Sequence, residues 1–233
     1  MMKNKKRGLA VAFLAPDGGG KSTIIKGITE RCAGHFAAVS YFHFRPEWLK
    51  NLGQIHISNP TQERCENREP GTEPPPNATP HDVKLQSRLK SFVRFMYYNV
   101  DFIFGTFFKI IPLKQRNHLV IFDRYYYDYF ADTIRYKYNL SQKLIRSFSC
   151  FIPRPDIVFI LDADTEVIWN RKREVPMEEV ARQREAYASI LDMNLNGVLI
   201  DVDRDVDAIV DEVTSRILTH PKVGSGEKEL QSV

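Results

Sequence analysis

The sequence predicts a three-layer α/β fold built on a parallel sheet, and three observations carry that expectation. Five short apolar runs recur along the 233 residues. Segments with helical spacing separate them, and a glycine-rich loop joins the first run to the first of those segments. Runs that are apolar throughout, without alternation, suit strands buried on both faces of a parallel sheet. Their alternation with helices implies right-handed crossovers.

Taken in order, the first run is "GLAVAFLA" (8–15), followed by the loop "APDGGGKS" (15–22) and a helix beginning at about Gly20. The second run is "AAVSYFHF" (37–44). Residues 57–82 hold six prolines and almost no apolar anchor, which predicts a long mobile loop. In 83–103, Val83, Leu85, Leu89, Phe92, Val93, Met96, Val100 and Ile103 recur mostly three or four residues apart, as on one face of a helix. The remaining strands are "HLVIFD" (118–123), "DIVFILD" (156–162) and "GVLIDV" (197–202). One domain over 1–220 is expected, with 221–233 a disordered tail.

Composition narrows the partners. The 33 Lys and Arg against 29 Asp and Glu give a net charge of +4, too little to argue for nucleic acid. Cys32, Cys65 and Cys150 form no CxxC pair, so reduced thiols in a cytoplasmic protein are expected, with neither zinc nor a disulfide framework. Basic residues precede Leu9–Ala15 as in a signal peptide, but that run is minimal and flows into the glycine loop, so it reads as a strand. No apolar stretch approaches a membrane span, and no membrane partner is expected.

In open α/β sheets, ligands bind beyond the carboxyl ends of the strands, so the residues that follow each strand are the candidates. "APDGGGKS" differs from the phosphate-loop pattern G-x-x-x-x-G-K-[ST] only in having Ala15 at the first glycine. Gly18, Gly19 and Gly20 let backbone N–H groups turn toward phosphate oxygens. Lys21 reaches the β- and γ-phosphates, Ser22 ligates Mg2+, and Thr23 lies in the helix amino end that completes the cradle. A glycine turn before any helix is the competing reading. Asp123 ends "LVIFD" as an acid reaching Mg2+ or its waters from a strand terminus does, and Arg124 follows at once.

"PDGGGKST", "VIFDRYYYD", "PDIVFILDAD" and "RQREAY", in this order over residues 8–202, resemble the thymidylate kinase branch of the P-loop nucleoside monophosphate kinases. The resemblance implies a five-stranded parallel sheet with a helical lid, and Mg2+-dependent transfer of the ATP γ-phosphoryl group to the 5'-phosphate of a nucleotide, with dTMP foremost. It places Asp17 toward the acceptor or the metal's waters. Lys21 and Ser22 fall at the donor phosphates, and Asp123 and Arg124 near the acceptor phosphate and metal. It also makes 168–185 the lid region, with Arg171, Arg173, Arg182 and Arg184 as candidates to close over the transferred group. Mobile cations suit the negative charge that phosphoryl transfer spreads over the equatorial oxygens. The alternative is a solvated helix with i,i+4 charge pairs.

The acceptor side leaves choices open. Arg68, in "REPGTEP", matches the family's letters but sits about 25 residues past the second strand. Arg45, in "FRPEW", sits at the strand end, and position is weighed above letters. Arg94 is a further acceptor candidate. Phe92, Phe95, Tyr97, Tyr98 and Tyr125–Tyr127 are read as core before base-stacking residues. Asp162 and Asp164 are read as helix caps, and His43, His56 and His81 as structural or surface residues. A P-loop kinase with a non-nucleotide acceptor such as a sugar phosphate, and a regulatory ATPase, are the other classes. The partners expected are ATP and a small phosphorylated acceptor, with a homodimer left open.

Overall fold

The computed structural model describes residues 7–50, 87–131, 136, 139–173, 175–193 and 195–224. Five parallel strands, β1 (Ala10–Leu14), β2 (Ala38–Phe42), β3 (His118–Asp123), β4 (Ile157–Asp162) and β5 (Gly197–Asp201), form one sheet in the order β2-β3-β1-β4-β5. β1 is central, with Val11 in register with Ile121 on one side and Ile157 on the other. All five predicted runs are strands. β1, β3 and β4 are almost wholly buried, whereas β2 and β5 are partly exposed because each has a neighbour on one side only.

The helices are α1 (Lys21–Arg31), α2 (Arg88–Gly105), α3 (Ile111–Gln115), α4 (Asp128–Ala131), α5 (Gln142–Phe148), α6 (Thr165–Arg171), α7 (Met177–Leu191), α8 (Val206–Leu218) and α9 (Pro221–Gly224). A π-helical turn, Thr106–Ile110, joins α2 to α3, and a 3-10 turn, Ser149–Phe151, follows α5. α2 begins at an N-cap, Ser87, whose hydroxyl accepts from the Lys90 amide. The expected loop over 57–82, Arg68 and Cys65 lie outside the described residues, as does 225–233 of the expected tail. The rest of that tail holds α9.

Alternation along β1 builds two unlike cores. Leu9, Val11, Phe13 and Ala15 face a layer of aliphatic side chains that includes Ile24, Ile28, Val210, Val213 and Ile217 of α1 and α8. Ala10, Ala12 and Leu14 face the other way. Two alanines leave room for an aromatic layer on that face, in which Phe95, Phe102, Tyr125, Tyr126, Tyr127 and Tyr129 are fully or almost fully buried. Phe102 meets Tyr125 and Tyr126 edge-on at centroid distances of 5.2 and 5.7 Å. The tyrosines after Arg124 are therefore core; Tyr125 donates to Pro153 O and Tyr126 to Ile145 O, whereas the buried Tyr127 hydroxyl has no hydrogen-bond partner among the described residues.

At the amino-terminal edge of the sheet, the buried Asp156 carboxylate accepts from the Ala10 amide (2.7 Å) and pairs with Lys114 (2.6 Å) and Lys222 (2.5 Å). Burial alone would raise this carboxyl, but those three partners hold it below its ordinary value. Of the cysteines, Cys32 is buried, which pushes its thiol up to about 11, and Cys150 is exposed.

Candidate active site

The loop between β1 and α1 has the shape its glycines foretell. Gly18 and Gly20 take positive φ angles of 87° and 75°, conformations that glycine adopts without steric cost. Ala15, the departure from the pattern, is fully buried, and a Cβ on Gly19 would lie 2.7 Å from the Ala15 Cβ. The methyl group thus occupies space that Gly19 leaves open. Ser22 and Thr23 are exposed in the first turn of α1, where backbone amides have no intrahelical acceptor and the helix dipole is positive. Lys21 is buried, and its Nζ donates to Ala15 O (2.6 Å) and Pro16 O (3.1 Å). Burial, and then the nearby Arg124 guanidinium, hold its pKa well below the ordinary lysine value. A phosphate placed against this ammonium would favour its charged form.

The end of β3 completes the centre. Asp123 is buried; its Oδ2 accepts from the Tyr41 hydroxyl at 2.9 Å, with His43 Nδ1 at 3.9 Å, while its Oδ1 is buried and has no hydrogen-bond partner. Burial and the Asp123 charge push the Tyr41 hydroxyl above its ordinary range, so it remains a donor. An orphaned carboxylate oxygen on an acid whose charge is felt by Lys21, and the exposed Ser22 hydroxyl beside that lysine, are the oxygen donors a hard cation uses, so Ser22 and Asp123 fit Mg2+. His43, read from sequence as a structural or surface residue, lies 3.9 Å from Asp123; its place at the end of β2 is the signal that could have pointed there.

Arg124 has φ 78°, a left-handed conformation that costs a non-glycine residue about 1–3 kcal/mol. Its amide bonds to Phe13 O across the sheet, and its Nη2 donates to Asp17 Oδ1 at 2.6 Å. Asp17 and Arg124 are therefore partners. Asp128, which sequence reasoning passed over as a site residue, is fully buried with an oxygen 3.6 Å from Arg124 Nη1. It accepts from the Tyr187 hydroxyl at 2.8 Å. Burial raises the Asp128 carboxyl against the pull of Arg124 and Lys21.

The remaining candidates fall into two groups. Arg171 lines a cavity of about 230 Å3 with Gly20, Thr23, Ile24, Val202 and Arg204, beside the phosphate loop, and donates to Val202 O. Arg173 bonds to Asn170 and stacks on Trp169 at 4.4 Å, and Arg182 forms a bidentate pair with Glu179 and donates to Ala131 O. Arg184 holds Asp162 through two bonds, 2.7 and 3.0 Å, and Thr165 through a third. Asp162 is therefore an ion-pair partner and not a cap. Asp164 occupies the N-cap position of α6, without a side-chain bond to the helix.

Arg45 departs most from its expected place. It is buried, and its Nη1 lies 2.5 Å from an oxygen of Asp101, a carboxylate with no exposed surface. Asp101 also accepts from the amides of Glu47 (3.2 Å), Trp48 (2.8 Å) and Leu49 (2.7 Å), so it organises the chain that leaves β2. Tyr98 lies under Arg45 at 4.8 Å and under Arg94 at 5.6 Å, which brings these two candidates onto one ring.

A glycine-turned phosphate loop on the central strand of a five-stranded parallel sheet, with an acid and an arginine at the neighbouring strand end, defines a P-loop nucleotide-binding protein. The thymidylate kinase family profile matches residues 83–212, a span that holds β3, Asp123, Arg124 and the α6–α7 segment. The chain belongs to the thymidylate kinase family. A probable thymidylate kinase of Staphylothermus marinus is 26% identical over 124 residues, 48% of this chain. The chain spans 59% of that relative's length. Thymidylate kinases of Ehrlichia chaffeensis and Candida albicans, both 17% identical, share the fold with TM-scores of 0.56 and 0.62. The match covers 90% of this chain and 98% of the former protein, and 93% of this chain and 94% of the latter.

Proposed function

We propose that this protein is a phosphotransferase that moves the γ-phosphoryl group of ATP to a nucleoside monophosphate, dTMP first among them. The observation that carries this reading is the Lys21, Asp123 and Arg124 cluster at the carboxyl ends of β1 and β3, set within a thymidylate kinase family chain. The glycine loop and the α1 amino end hold the donor phosphates, and Lys21 exchanges its bonds to Ala15 and Pro16 for phosphate oxygens. Arg171 and Arg204 flank the cavity that takes the donor base and ribose. Arg124, steered by Asp17, holds the acceptor phosphate in line. Ser22 and Asp123 would hold Mg2+, which when bound would supply charge neutralisation for the donor phosphates. Arg173, Arg182 and Arg184 are proposed to support the lid, while Arg45 acts by ordering residues 46–49. Arg94 lies on the same ring as Arg45 and serves the acceptor side.

The test is an ADP-release assay across dTMP, other nucleoside monophosphates and sugar phosphates. Stimulation by dTMP is expected; stimulation by sugar phosphates alone, or by none, would overturn the reading. Family membership favours neither the sugar-phosphate kinase nor the regulatory ATPase.

ATP as donor and the unbridged Cys32 and Cys150 support a cytoplasmic site of action. Among the described residues no helix is long and apolar enough to cross a membrane. A homodimer is supported by the side of α2 that carries exposed Leu89, Val93, Val100 and Phe104, continued by Phe108 and by Trp48, which stacks on Phe108 at 5.5 Å. This stripe runs about 28 Å, longer than scattered surface apolar residues produce. Sedimentation of a Phe104→Glu, Phe108→Glu variant checks this, a monomer being expected where the wild type is a dimer.

A further inference from the structure

Arg124 is gripped from two sides, and only one of the grips lies in the phosphate loop. Asp17 takes Nη2 at 2.6 Å, and Asp128, on the first turn of α4, stands 3.6 Å from Nη1. Asp128 has no exposed surface, so its own orientation is set by what it touches. Tyr187 of α7 donates to one oxygen at 2.8 Å, and Tyr136 donates to the other at 3.4 Å. Tyr187 is itself buried in the aromatic layer. A line of contact therefore runs from α7, through a phenol and a carboxylate, to the guanidinium.

We propose that Asp128 and Tyr187 are positioning residues for the phosphoryl-transfer reaction: the pair fixes the rotation of the Arg124 guanidinium and couples it to α7, the helix whose first turns belong to the expected lid region and which carries Tyr187 just beyond it. This rests on the function proposed above in assigning the acceptor phosphate to Arg124. A guanidinium on a flexible stem has rotamer freedom to lose on meeting a phosphate. Two carboxylates at fixed angles remove that freedom before the acceptor arrives. The charges that face Asp128 are Arg124, Lys21 and Asp123, alongside the Tyr187 and Tyr136 hydroxyls. Its negative charge opposes the binding of a phosphate anion, so its benefit must lie in orientation.

That opposition gives the test a sign. In Asp128→Asn, removal of a negative charge alone would lower the KM for dTMP. Loss of orientation raises it, by about tenfold, with the KM for ATP within about twofold. Tyr187→Phe, which keeps the ring in its layer, should act in the same direction should Asp128→Asn fail to fold. In an Arg124→Ala background neither substitution should have a further effect, because both act through that side chain. A readout free of substrate is the NMR of the Arg124 Nη groups, identified by their loss in Arg124→Lys. They should be resolved in the wild type through hindered rotation and merge in either variant. An unchanged or lowered acceptor KM in both variants, multiplicative effects without Arg124, or unaltered Nη signals would overturn the inference. A wild type that phosphorylates no nucleotide would refute the proposed function, while the Nη signals would still decide the positioning role.

Discussion

Replacing Asp101 with alanine separates two readings of Arg45. If Arg45 belongs to a buried ion pair, Asp101→Ala strands a guanidinium that is 5% exposed and leaves the Glu47, Trp48 and Leu49 amides without their acceptor. Breaking a buried pair by removing one partner costs about 3–5 kcal/mol. That is a large share of the roughly 5–15 kcal/mol that stabilises a domain. With a urea dependence of about 2–3 kcal/mol per M, the unfolding midpoint should fall by about 1–2.5 M. Arg45→Met should cost less, about 1.5–3 kcal/mol, because Asp101 keeps its three amide donors. Equilibrium urea unfolding followed by far-UV circular dichroism measures both. A loss below about 1 kcal/mol in Asp101→Ala, or an Arg45→Met variant of unchanged midpoint with a tenfold poorer acceptor KM, would refute the pair as an organiser and return Arg45 to the acceptor.

Lys21→Ala should lower kcat by at least about 10²-fold if, as proposed, it removes a donor to the transferred group, while the melting temperature stays near that of the wild type; single-turnover transfer from labelled ATP checks it. Arg171→Ala should raise the KM for ATP and leave that for the acceptor unchanged, because the side chain lines the cavity beside Gly20 and Thr23; steady-state kinetics in both substrates decides this. For Asp156, the folded state holds the carboxyl below its unfolded value, so its stabilisation is complete above about pH 3.9 and is lost as pH falls through the lower folded pKa. The stability gap between wild type and Asp156→Asn should therefore be constant from pH 6 to 8 and close in acid, as read from thermal melts across pH.

The strands and the phosphate loop were legible because their signals are local. A run such as "VIFD" must be buried to be worth its composition, and the GGGKS sequence encodes its own turn. Even the Ala15 exception reads correctly once its neighbour Gly19 is known to lack a side chain. What stayed hidden are pairs joined only by the fold: Arg45 with Asp101, Asp128 with Tyr187, and Asp162 with Arg184, separated by 56, 59 and 22 positions. No periodicity ties such residues together. The notion that Asp162 caps a helix follows from local position alone, and its pairing with the distant Arg184 overrides it; the pairing of Arg45 with Asp101 is likewise invisible to local position. The reading of Tyr125, Tyr126 and Tyr127 as core agrees with their burial, since aromatic side chains are more often packed than left to stack on a ligand.

The small residues of β1 reach further than their size suggests. Ala12 is in register with Phe122, one position before Asp123, and faces the aromatic layer that starts with Tyr125 directly after Arg124. Space left empty on the central strand thus sets how deep the tyrosines sink, and the tyrosines set where the arginine's backbone stands. The accuracy of the site is in this sense manufactured in the hydrocarbon interior. A methyl group gained at Ala12 would be felt as lost aim at the sheet's edge, and the acceptable variation of this enzyme-like centre is limited first by how its aromatics nest.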